Sequence, residues 1–569
     1  MIAHSGRWRG ARLATACCAP LAALTIAATS ATAAQTSNAS AAQASRATTA
    51  QSGPAQSGPA QSGPAQSGPA QSGSAPLVAT SNGVVRGAAV AGGYAFRGLP
   101  YAAPPVGKLR WRPPAPAASW HGVRDATSFG PSCPQGSPTF TLGPTSEDCL
   151  YLNVSAPTLR PGADRPVLVW IHGGGFTTGA GRDYDPAQLV ADGAVVVTIN
   201  YRLGALGFLA HPALASRPGG PAGNYGLMDQ QAALRWVRAN IGRFGGNPHN
   251  VTIAGQSAGG LAVLDHLVSP GSRGLFQRAI IESGSFALTQ QPLATAEAAG
   301  QDFAVKAGCP DQTAACLRQL PVSALTQSFP AVAIPGVADG QVLPESVGTA
   351  LAAGRFARVP VLNGTNHDEE RFFVTLGLTV SGGTYVPIPG DGTVTPASYQ
   401  TDISAVLGVS GTRAAAIAAQ YPVTAYPSPA VAFSTLVGDA NFACPALQID
   451  RWTAARVPTF AYEFNDDNAP ARYVPTIPPP VATHQSELQY LFGLPGTIPA
   501  TLTASQQALA ASMQAAWVKF AASGQPGSAA VPWPAVGGGA TRMVSLVPPE
   551  PQAETDFPAR HHCGFWAAG

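Results

Sequence analysis

The sequence predicts an α/β fold with a mostly parallel central sheet flanked by helices. Two apolar runs, at 166–171 (Pro-Val-Leu-Val-Trp-Ile) and 194–199 (Ala-Val-Val-Val-Thr-Ile), are typical of strands buried on both faces of a parallel sheet. A third run begins at Val251, after a stretch at 229–241 whose apolar residues recur at helical spacing. Strand, helix and strand in that order indicate right-handed crossovers, so we expect the functional site at the carboxyl ends of the strands.

Length and charge set limits on the function. The chain has 569 residues, of which 45% are hydrophobic and only 11% charged, so it can bury a large core. The formal net charge is +3, but residues 1–76 hold four arginines and no acid, which leaves about −1 for residues 77–569. A nearly neutral domain has no basic field to attract nucleic acid or an anionic membrane, and we expect neither partner.

The N-terminus resembles an export signal. Arginines precede an alanine-rich apolar run at 13–28, and Ala31-Thr32-Ala33 supplies the small residues of a cleavage site. We predict a signal peptide at 1–34. A membrane anchor is the alternative, but the run is short and interrupted by Pro20; Cys17 is poorly placed for lipidation. No later segment has about 18 uninterrupted apolar residues, so no membrane span is expected after signal removal.

Residues 35–76 form a low-complexity segment. Gln-Ser-Gly-Pro-Ala occurs four times from 51 to 70, and Gln-Ser-Gly-Ser-Ala follows at 71–75. Without aromatic or large aliphatic side chains this repeat cannot bury enough surface to offset its ordering entropy. We therefore predict a flexible linker at 35–76 and a catalytic domain at 77–569.

Cysteine usage indicates an oxidising destination. Removal of the signal leaves six cysteines, for which 15 pairings exist. Pairing of neighbours gives Cys133–Cys149, Cys309–Cys316 and Cys444–Cys563. A zinc site is the alternative, but no Cys-x-x-Cys or His-x-x-x-His motif accompanies the cysteines, and His561 and His562 stand isolated in the sequence. We expect three disulfides and no metal.

The first catalytic motif is Gly255-Gln256-Ser257-Ala258-Gly259, which joins the apolar run at 251–254 to a helix-forming stretch. This is the Gly-x-Ser-x-Gly elbow, in which a strained strand-to-helix turn exposes the serine hydroxyl to a base and a substrate. The five-residue pattern alone also occurs in ordinary turns. The elbow predicts Ser257 as a nucleophile only if the rest of the chain supplies its partners.

A glycine-rich loop supplies one of those partners. His172-Gly173-Gly174-Gly175-Phe176 directly follows the apolar run that ends at Ile171. In acyl transfer the carbonyl oxygen gains negative charge, and backbone N–H groups in such a loop stabilise it. An ordinary glycine turn is the alternative. With an elbow downstream, we expect the N–H groups of Gly174, Gly175 and Ala258 to form an oxyanion hole.

The chain resembles the type-B carboxylesterase family, relatives of the cholinesterases within the α/β-hydrolase fold. The resemblance runs from about Gly83 to Trp566. It rests on segments 96–102 (Phe-Arg-Gly-Leu-Pro-Tyr-Ala), 146–153 (Ser-Glu-Asp-Cys-Leu-Tyr-Leu-Asn), 224–230 (Asn-Tyr-Gly-Leu-Met-Asp-Gln) and 244–248 (Phe-Gly-Gly-Asn-Pro). It implies an α/β-hydrolase fold with large inserted loops and helices around the active site.

The resemblance also locates an acid and a histidine after the serine, in the order that this fold requires. Asn363-Gly-Thr-Asn-His-Asp-Glu-Glu370 matches the family segment that carries the catalytic glutamate, at Glu369. Glu370 replaces a usual glycine, so Glu370 and Asp368 stay open as alternatives. His484 matches the catalytic histidine. His172 and His367 belong to other motifs, and Glu487 is interpreted as a surface or helix-capping acid.

Neighbouring residues surround this predicted triad. By resemblance, Ser283 hydrogen-bonds the Glu369 carboxylate, and Arg110 forms a structural ion pair with Glu147. Phe372 and Phe373 are candidates for the substrate pocket, with an ordinary core role as the alternative.

The predicted function is a secreted serine carboxylesterase that forms an acyl-enzyme with small-molecule esters and uses no metal or organic cofactor. A lipase for long acyl chains and a non-catalytic adhesion module are the alternatives; the intact set of motifs argues against adhesion. Gln256 replaces the acid that cholinesterases carry before the nucleophile, and segment 133–149 lacks their tryptophan. Recognition of a quaternary ammonium is therefore not expected. The sequence carries no signal of oligomeric state.

Overall fold

The structure is a computed structural model that describes most of the chain after residue 74. The described ranges are 75–136, 143–215, 222–328, 336–474, 481–529, 531–537 and 542–568. The predicted signal peptide and all but the last two residues of the predicted linker lie outside them.

Strands occur along the whole described chain. In chain order they are β1 (Leu77–Ala79), β2 (Val84–Arg86), β3 (Ala88–Val90), β4 (Gly93–Pro100), β5 (Val123–Asp125), β6 (Tyr151–Ala156), β7 (Arg165–Ile171), β8 (Val195–Ile199), β9 (Gly246–Gln256), β10 (Arg278–Glu282), β11 (Gln291–Pro292), β12 (Val337–Ala338), β13 (Val361–Asn366), β14 (Leu378–Ser381), β15 (Thr384–Pro387), β16 (Thr459–Phe464), β17 (Met543–Leu546) and β18 (Gln552–Glu554).

The central sheet has 11 strands in the order β18-β17-β16-β13-β10-β9-β7-β8-β6-β4-β3. The pairs from β8 across to β17 are parallel, whereas the strands at both ends pair antiparallel. Three small sheets accompany it: β1-β2-β5, β11-β12 and the hairpin β14-β15. The mostly parallel sheet predicted from the apolar runs is confirmed.

Helices connect and cover these strands. They are α1 (Ala187–Ala191), α2 (Gly204–Phe208), α3 (Tyr225–Asn240), α4 (Ala258–Val268), α5 (Leu293–Lys306), α6 (Ala314–Gln319), α7 (Val322–Ser328), α8 (Val347–Ala352), α9 (Glu369–Thr375), α10 (Tyr399–Leu407), α11 (Gly411–Gln420), α12 (Pro429–Gly438), α13 (Cys444–Ala454), α14 (Leu488–Leu491), α15 (Ala504–Ser523), α16 (Phe557–Arg560) and α17 (Cys563–Ala567). Short 3-10 helices occur at Gly107–Leu109, Gly181–Asp183, Pro212–Leu214, Ile241–Phe244, Pro270–Ser272 and Val423–Ala425.

Both faces of the parallel strands are buried. In β7, Val167, Val169 and Ile171 pack into one hydrophobic cluster, while Leu168 and Trp170 pack into another on the opposite face. Side chains alternate between the two faces of a strand, so an uninterrupted apolar run is the expected sequence of a strand covered on both sides. This burial explains why β7 and β8 were predictable to within one residue.

The helix before the elbow is longer than predicted. The spacing predicted residues 229–241, whereas α3 begins at Tyr225. Tyr225, Gly226, Leu227 and Met228 are all buried, so the first turn has no polar face. A helix that is buried all round loses the amphipathic periodicity from which its start is predicted.

All three predicted disulfides are present. Cys133–Cys149, Cys309–Cys316 and Cys444–Cys563 join Cα atoms 4.9, 5.8 and 5.2 Å apart, respectively. The sulfurs of Cys309 and Cys316 are thus bonded to each other and are not available as metal ligands. The third bridge ties α17 to α13 across a sequence separation of 119 residues.

A π-helical turn, Asp439–Ala443, joins α12 to α13 into one long helix. Among the described residues, this helix, Pro429–Ala454, is the one that is long and apolar enough to cross a membrane by length and composition. Its most apolar window is 67% buried inside the fold. Such burial is also typical of a core helix in a globular protein.

Candidate active site

Ser257 is the single residue between the end of β9 and the start of α4. Its backbone angles are φ 57° and ψ −126°, which a non-glycine residue adopts only where the surrounding structure enforces them. The Ser257 N–H donates to the Glu282 carbonyl at 2.9 Å, and the Ser257 carbonyl accepts from the Leu261 N–H at 2.9 Å. These bonds to β10 and to α4 hold the strained turn that the sequence predicted.

The two glycines of the elbow are required by close backbone contacts. A Cβ at Gly259 would lie 2.0 Å from the Ile171 carbonyl oxygen, and one at Gly255 would lie 2.5 Å from the carbonyl carbon of Gly259. Both distances are far below van der Waals contact, and both obstacles are backbone atoms that cannot rotate away. The turn therefore packs against the end of β7 only with glycine on each side.

The glycine loop at 172–176 runs beside the elbow. A Cβ built on Gly173 would lie 3.1 Å from the Ser257 Cβ. Gly174 and Gly175 have φ of 96° and 61°, and among the described residues neither N–H has an acceptor. Ala258 is the first residue of α4, so its N–H has no acceptor within the helix. These unpaired donors suit a developing oxyanion.

His484 and Glu369 form a direct hydrogen bond in the interior. His484 Nδ1 lies 2.5 Å from Glu369 Oε2, and both side chains are almost fully buried. The other oxygen, Oε1, accepts from the Asn366 N–H and from the Thr365 hydroxyl, each at 2.8 Å. Glu369 is thus fixed by three donors, and its bond to Nδ1 leaves Nε2 as the acceptor nitrogen of a neutral imidazole.

The two alternative acids have other partners. Asp368 Oδ2 accepts from His367 Nδ1 at 2.8 Å, and Oδ1 lies 3.4 Å from the Arg371 guanidinium. Glu370 Oε1 accepts from the Val380 N–H at 3.1 Å, and burial raises the pKa of Glu370 to about 8. Of the three candidates, Glu369 is the one bonded to His484.

The second nitrogen of His484 faces the elbow. Its Nε2 lies 3.5 Å from the side-chain amide nitrogen of Gln256, the residue before Ser257. The imidazole packs among three aromatic rings, with centroid distances of 4.9 Å to Phe373, 5.4 Å to Phe442 and 6.2 Å to Phe372. This apolar surrounding fixes the ring plane, and Gln256 occupies the position beside Nε2.

Ser283 differs from its predicted role. The resemblance predicted a hydrogen bond from its hydroxyl to Glu369, but among the described residues this buried hydroxyl has no partner. Thr365 takes that place, because it lies four residues before Glu369 and its hydroxyl reaches the carboxylate along the same segment. Ser283 contributes instead through its N–H, which donates to the Gly364 carbonyl at 2.9 Å.

The interpretation of Glu487 as a surface or capping acid is wrong. Its side chain is buried, and Oε2 accepts from the Asn366 side-chain amide at 2.5 Å. Burial, followed by the Glu282 and Glu369 carboxylates, raises the pKa of Glu487 well above its usual range. The residue precedes α14 in the chain as expected, but its side chain points inward, towards the segment that carries Glu369.

A cavity of about 350 Å³ opens at Ser257. Its lining is largely apolar, and none of its described lining residues is charged. The apolar members are Leu203, Ala205, Leu206, Leu325, Leu376, Leu378, Phe372, Phe373 and Pro134; the polar ones include Gln135, Thr177, Thr178, Thr326, Tyr385 and Gln485. Phe372 and Phe373 therefore line the cavity as well as packing against His484.

Tyr385 is a lining residue that the sequence did not reveal. It lies in β15 of the β14-β15 hairpin, and its ring packs 4.9 Å from that of Phe373. Burial raises the pKa of Tyr385 above its usual range, and a hydrogen bond with the Ser257 side chain opposes this shift. No motif surrounds Tyr385, since the hairpin reaches the cavity only through the tertiary fold.

The remaining predicted residues have structural partners. Burial lowers the pKa of His172 to about 4, and its ring stacks on Tyr201 at 4.4 Å. His172 is thus neutral and occupied in supporting the glycine loop. The predicted Arg110–Glu147 ion pair is confirmed, with Nη2 of Arg110 2.6 Å from Oε1 of Glu147.

Comparison with known proteins identifies the family of the chain. The model of the carboxylesterase family matches residues 74–566. The chain is 36% identical over 482 residues to the para-nitrobenzyl esterase of Bacillus subtilis (strain 168), covering 81% of this chain and 92% of that protein. It is 36% identical over 496 residues to the cocaine esterase of Oryctolagus cuniculus, covering 81% and 90%.

Other matches include a fumonisin B1 esterase of Sphingopyxis macrogoltabida, 36% identical over 457 residues, which cover 76% of this chain and 79% of that protein. The solved structure of a PNB esterase superposes with a TM-score of 0.70 at 33% identity, covering 85% of this chain and 98% of its own. The sheet described above is thus that of the α/β-hydrolase fold. The chain belongs to the carboxylesterase family and is a carboxylic ester hydrolase.

Proposed function

We propose that this protein is a secreted serine carboxylesterase in which Ser257 is the nucleophile, His484 the general base and Glu369 the acid that orients it. The observation that carries the proposal is the buried His484–Glu369 hydrogen bond of 2.5 Å, with Nε2 of the same imidazole beside the strained elbow. A serine, an acid and a histidine, in this chain order, are the triad of the α/β-hydrolase type that acyl transfer uses.

In the acylation step, His484 Nε2 accepts the Ser257 proton as the serine oxygen attacks the ester carbonyl. The carbonyl oxygen gains negative charge, and the N–H groups of Gly174, Gly175 and Ala258 donate to it. Glu369 keeps the proton of His484 on Nδ1 and stabilises the imidazolium. Collapse of the tetrahedral intermediate releases the alcohol, which takes its proton from Nε2.

In the deacylation step, a water molecule replaces the alcohol. His484 removes a proton from the water as its oxygen attacks the acyl carbonyl, and the same oxyanion hole binds the second tetrahedral intermediate. Ser257 then leaves with the proton from Nε2, and the carboxylic acid product is released. Each step is served by protein groups and water.

The cavity supports a neutral, small-molecule ester as the substrate class. No charged side chain is among its described lining residues, and Gln256 adds none at the elbow. A charged acyl or alcohol group would lose its hydration there without gaining a partner. The volume of about 350 Å³ lies at the small end for ligand pockets, which favours a carboxylesterase over a lipase for long acyl chains.

The proposal extends to location and domain organisation. Three disulfides are typical of proteins that fold in an oxidising compartment, which supports export through the signal peptide at 1–34. The segment at 35–76 then acts as a linker before the hydrolase domain at 77–569. The retained serine, histidine, acid and glycine loop argue against an adhesion module that has lost catalysis.

The test uses purified protein and a chain-length series of p-nitrophenyl esters. We expect the highest kcat/KM with short and medium acyl chains and no activation at a lipid–water interface. A fluorophosphonate probe should label Ser257, and Ser257→Ala should abolish both labelling and hydrolysis. The matched control is Ser434→Ala, which alters a buried serine that bonds the Val431 carbonyl within α12. Labelling that persists in Ser257→Ala, or long-chain preference with interfacial activation, contradicts the proposal.

A further inference from the structure

Three metal-ligand side chains outside the candidate active site meet near the carboxyl ends of two parallel strands. His367 follows β13, Glu463 lies in β16, and His561 directly follows α16. Each offers one ligand atom, and the three atoms lie within 4.8 Å of one another. His561 appeared isolated in the sequence, but the fold brings it to two ligands from distant segments.

Each of the two imidazoles is held by a carboxylate through Nδ1. His561 Nδ1 lies 2.5 Å from Asp439, and His367 Nδ1 lies 2.8 Å from Asp368. Metal-binding histidines are commonly oriented in this way, because the carboxylate fixes the tautomer and makes the other nitrogen a stronger metal ligand. Nε2 is then the atom that each ring offers, and that of His561 lies 2.7 Å from Glu463.

The charge around the three ligands suits a divalent cation. Four carboxylates and two guanidiniums lie in or beside the group. Asp439, Glu463 and Glu554 are buried and Asp368 is largely buried; the guanidiniums are those of Arg371 and Arg560. With both imidazoles neutral, as zinc binding requires, this leaves two negative charges in excess. Uncompensated buried charge is costly, and one divalent ion restores the balance.

We propose that His367, Glu463 and His561 bind a zinc ion that fastens the C-terminal segment to the sheet. Two imidazole nitrogens and one carboxylate oxygen are a zinc ligand set, with water in the fourth tetrahedral position. Zinc bonds of about 2.0–2.1 Å place two such donors about 3.3 Å apart. Glu463 and His561 therefore need to separate by about half an ångström, and His367 needs to approach by up to about 1.5 Å. The His367 side chain is 28% exposed and gives the ion an entry path.

A proton is the competitor for this position. Burial lowers the pKa of His561, but hydrogen bonds from its ring to Asp439 and Glu463 outweigh burial and raise the pKa to about 10. Burial also lowers the pKa of His367, but its hydrogen bond to Asp368 and the charge of Glu463 outweigh burial and raise it, so protonation of both rings balances the same two charges. Zinc and the proton on Nε2 exclude each other, so a direct measurement of metal content separates the two states.

The experiment uses the full, untagged chain, equilibrated with zinc and then separated from free metal. We expect about one zinc ion per chain by elemental analysis. His367→Gln and Glu463→Gln each remove a ligand and should abolish retention, whereas His249→Gln, an exposed histidine elsewhere, should retain zinc like the wild type. Asp439→Asn leaves the ligands in place and should weaken zinc affinity about 10- to 100-fold.

Thermal unfolding gives a second readout. Excess zinc should raise the Tm of the wild type, a chelator should lower it, and His367→Gln should respond to neither. The inference is overturned if the wild type retains less than about a tenth of an ion per chain, a result that needs no variant to fold. It is equally overturned if His367→Gln and Glu463→Gln retain zinc as the wild type does.

Discussion

Two histidine–carboxylate pairs in this molecule have the same first contact and different second contacts. His484 and His561 are both buried, and each places Nδ1 2.5 Å from a carboxylate oxygen, of Glu369 and Asp439 respectively. The Nε2 of His484 faces the Gln256 amide at 3.5 Å beside the elbow, whereas the Nε2 of His561 lies 2.7 Å from Glu463. A carboxylate on Nδ1 therefore does not by itself make a histidine a base. What faces Nε2 decides whether the ring can exchange a proton with a substrate.

The two histidine rings also differ in their neighbours, which are aromatic around His484 and charged around His561. His484 packs among the rings of Phe372, Phe373 and Phe442, which bring no charge close to it. His561 lies among carboxylates and next to Arg560, whose guanidinium lies 3.1 Å from Glu463. The first environment suits a ring that changes its charge during a reaction. The second suits one whose charge or ligand stays fixed.

The largest expected effect tests the first pair. Glu369→Gln keeps the shape of the side chain but favours the wrong tautomer of His484, and we expect kcat/KM to fall about 10⁴-fold. Steady-state hydrolysis of a p-nitrophenyl ester measures it.

The control for Glu369→Gln is Asp450→Asn. Asp450 is a buried carboxyl that accepts from the Asn363 side-chain amide at 2.9 Å and, among the described residues, has no histidine partner. A loss of less than about tenfold is expected for the control. Equal losses in both variants would mean that burial of the acid, and not its bond to His484, explains the effect.

The next effect concerns the disulfide that holds the C-terminal segment, which carries His561. Replacing Cys444 and Cys563 by serine frees the C-terminal segment that carries His561, and on the chain-entropy model it lowers the free energy of unfolding by about 5 kcal/mol. The same change at Cys309 and Cys316, which are only seven residues apart, should cost about 2 kcal/mol. Urea unfolding of the two double variants compares them. A larger loss for the short loop would contradict the model.

A smaller effect is expected at Glu370, which follows Glu369 and has no histidine partner in the described part of the chain. Burial holds the pKa of Glu370 at about 8, above its value in the unfolded chain. Between about pH 4.5 and pH 8 the Glu370 carboxyl is ionised in the unfolded chain but stays protonated in the folded protein. The free energy of unfolding therefore falls as pH rises through this window, and it does not change below the window. Glu370→Gln removes that fall. Relative to the wild type, it should raise the free energy of unfolding by on the order of 3 kcal/mol at pH 7 and leave it unchanged at pH 4. A gain that is independent of pH in urea unfolding would contradict this account.

The smallest effect concerns Nε2 of His484 itself. Gln256→Glu places a carboxylate at the position that now holds the amide, 3.5 Å from that nitrogen. A nearby negative charge favours the imidazolium, so the acidic limb of the kcat/KM profile should move to higher pH by about 1 unit. Gln256→Leu serves as the uncharged control and should leave the limb in place. A shift of equal size in both variants would assign the effect to packing.

The sequence predicted those parts of the molecule whose structure depends on contacts that leave a local pattern in the sequence. The elbow, the glycine loop and the strands before them depend on close backbone contacts and on burial on both faces, which appear as glycines and as apolar runs. His484 and Glu369 are bonded as their motifs and chain order predicted. The buried state of Glu487, the lining role of Tyr385 and the position of His561 depend on contacts between distant segments. No local pattern records such contacts.

Ser283 shows a second reason why a contact was not predicted from the sequence. The resemblance identified a residue beside the acid, but a hydroxyl of the same kind, on Thr365, makes the bond. Which of two nearby hydroxyls reaches a carboxylate depends on ångström-scale backbone position, and sequence similarity does not fix that. The same holds for Tyr385, which reaches the cavity on a hairpin without a motif of its own.

The π-helical turn Asp439–Ala443 touches both histidine pairs. Asp439 bonds His561, while the Phe442 ring packs 5.4 Å from that of His484 and its carbonyl accepts from the Ser285 hydroxyl at 2.8 Å. A π turn has one residue more than an α turn, and deletion of one residue would turn Asp439 and Phe442 relative to each other by about 100°. Because of this extra residue, one wide turn of helix contacts both the C-terminal segment, through His561, and the ring of the candidate base, through Phe442.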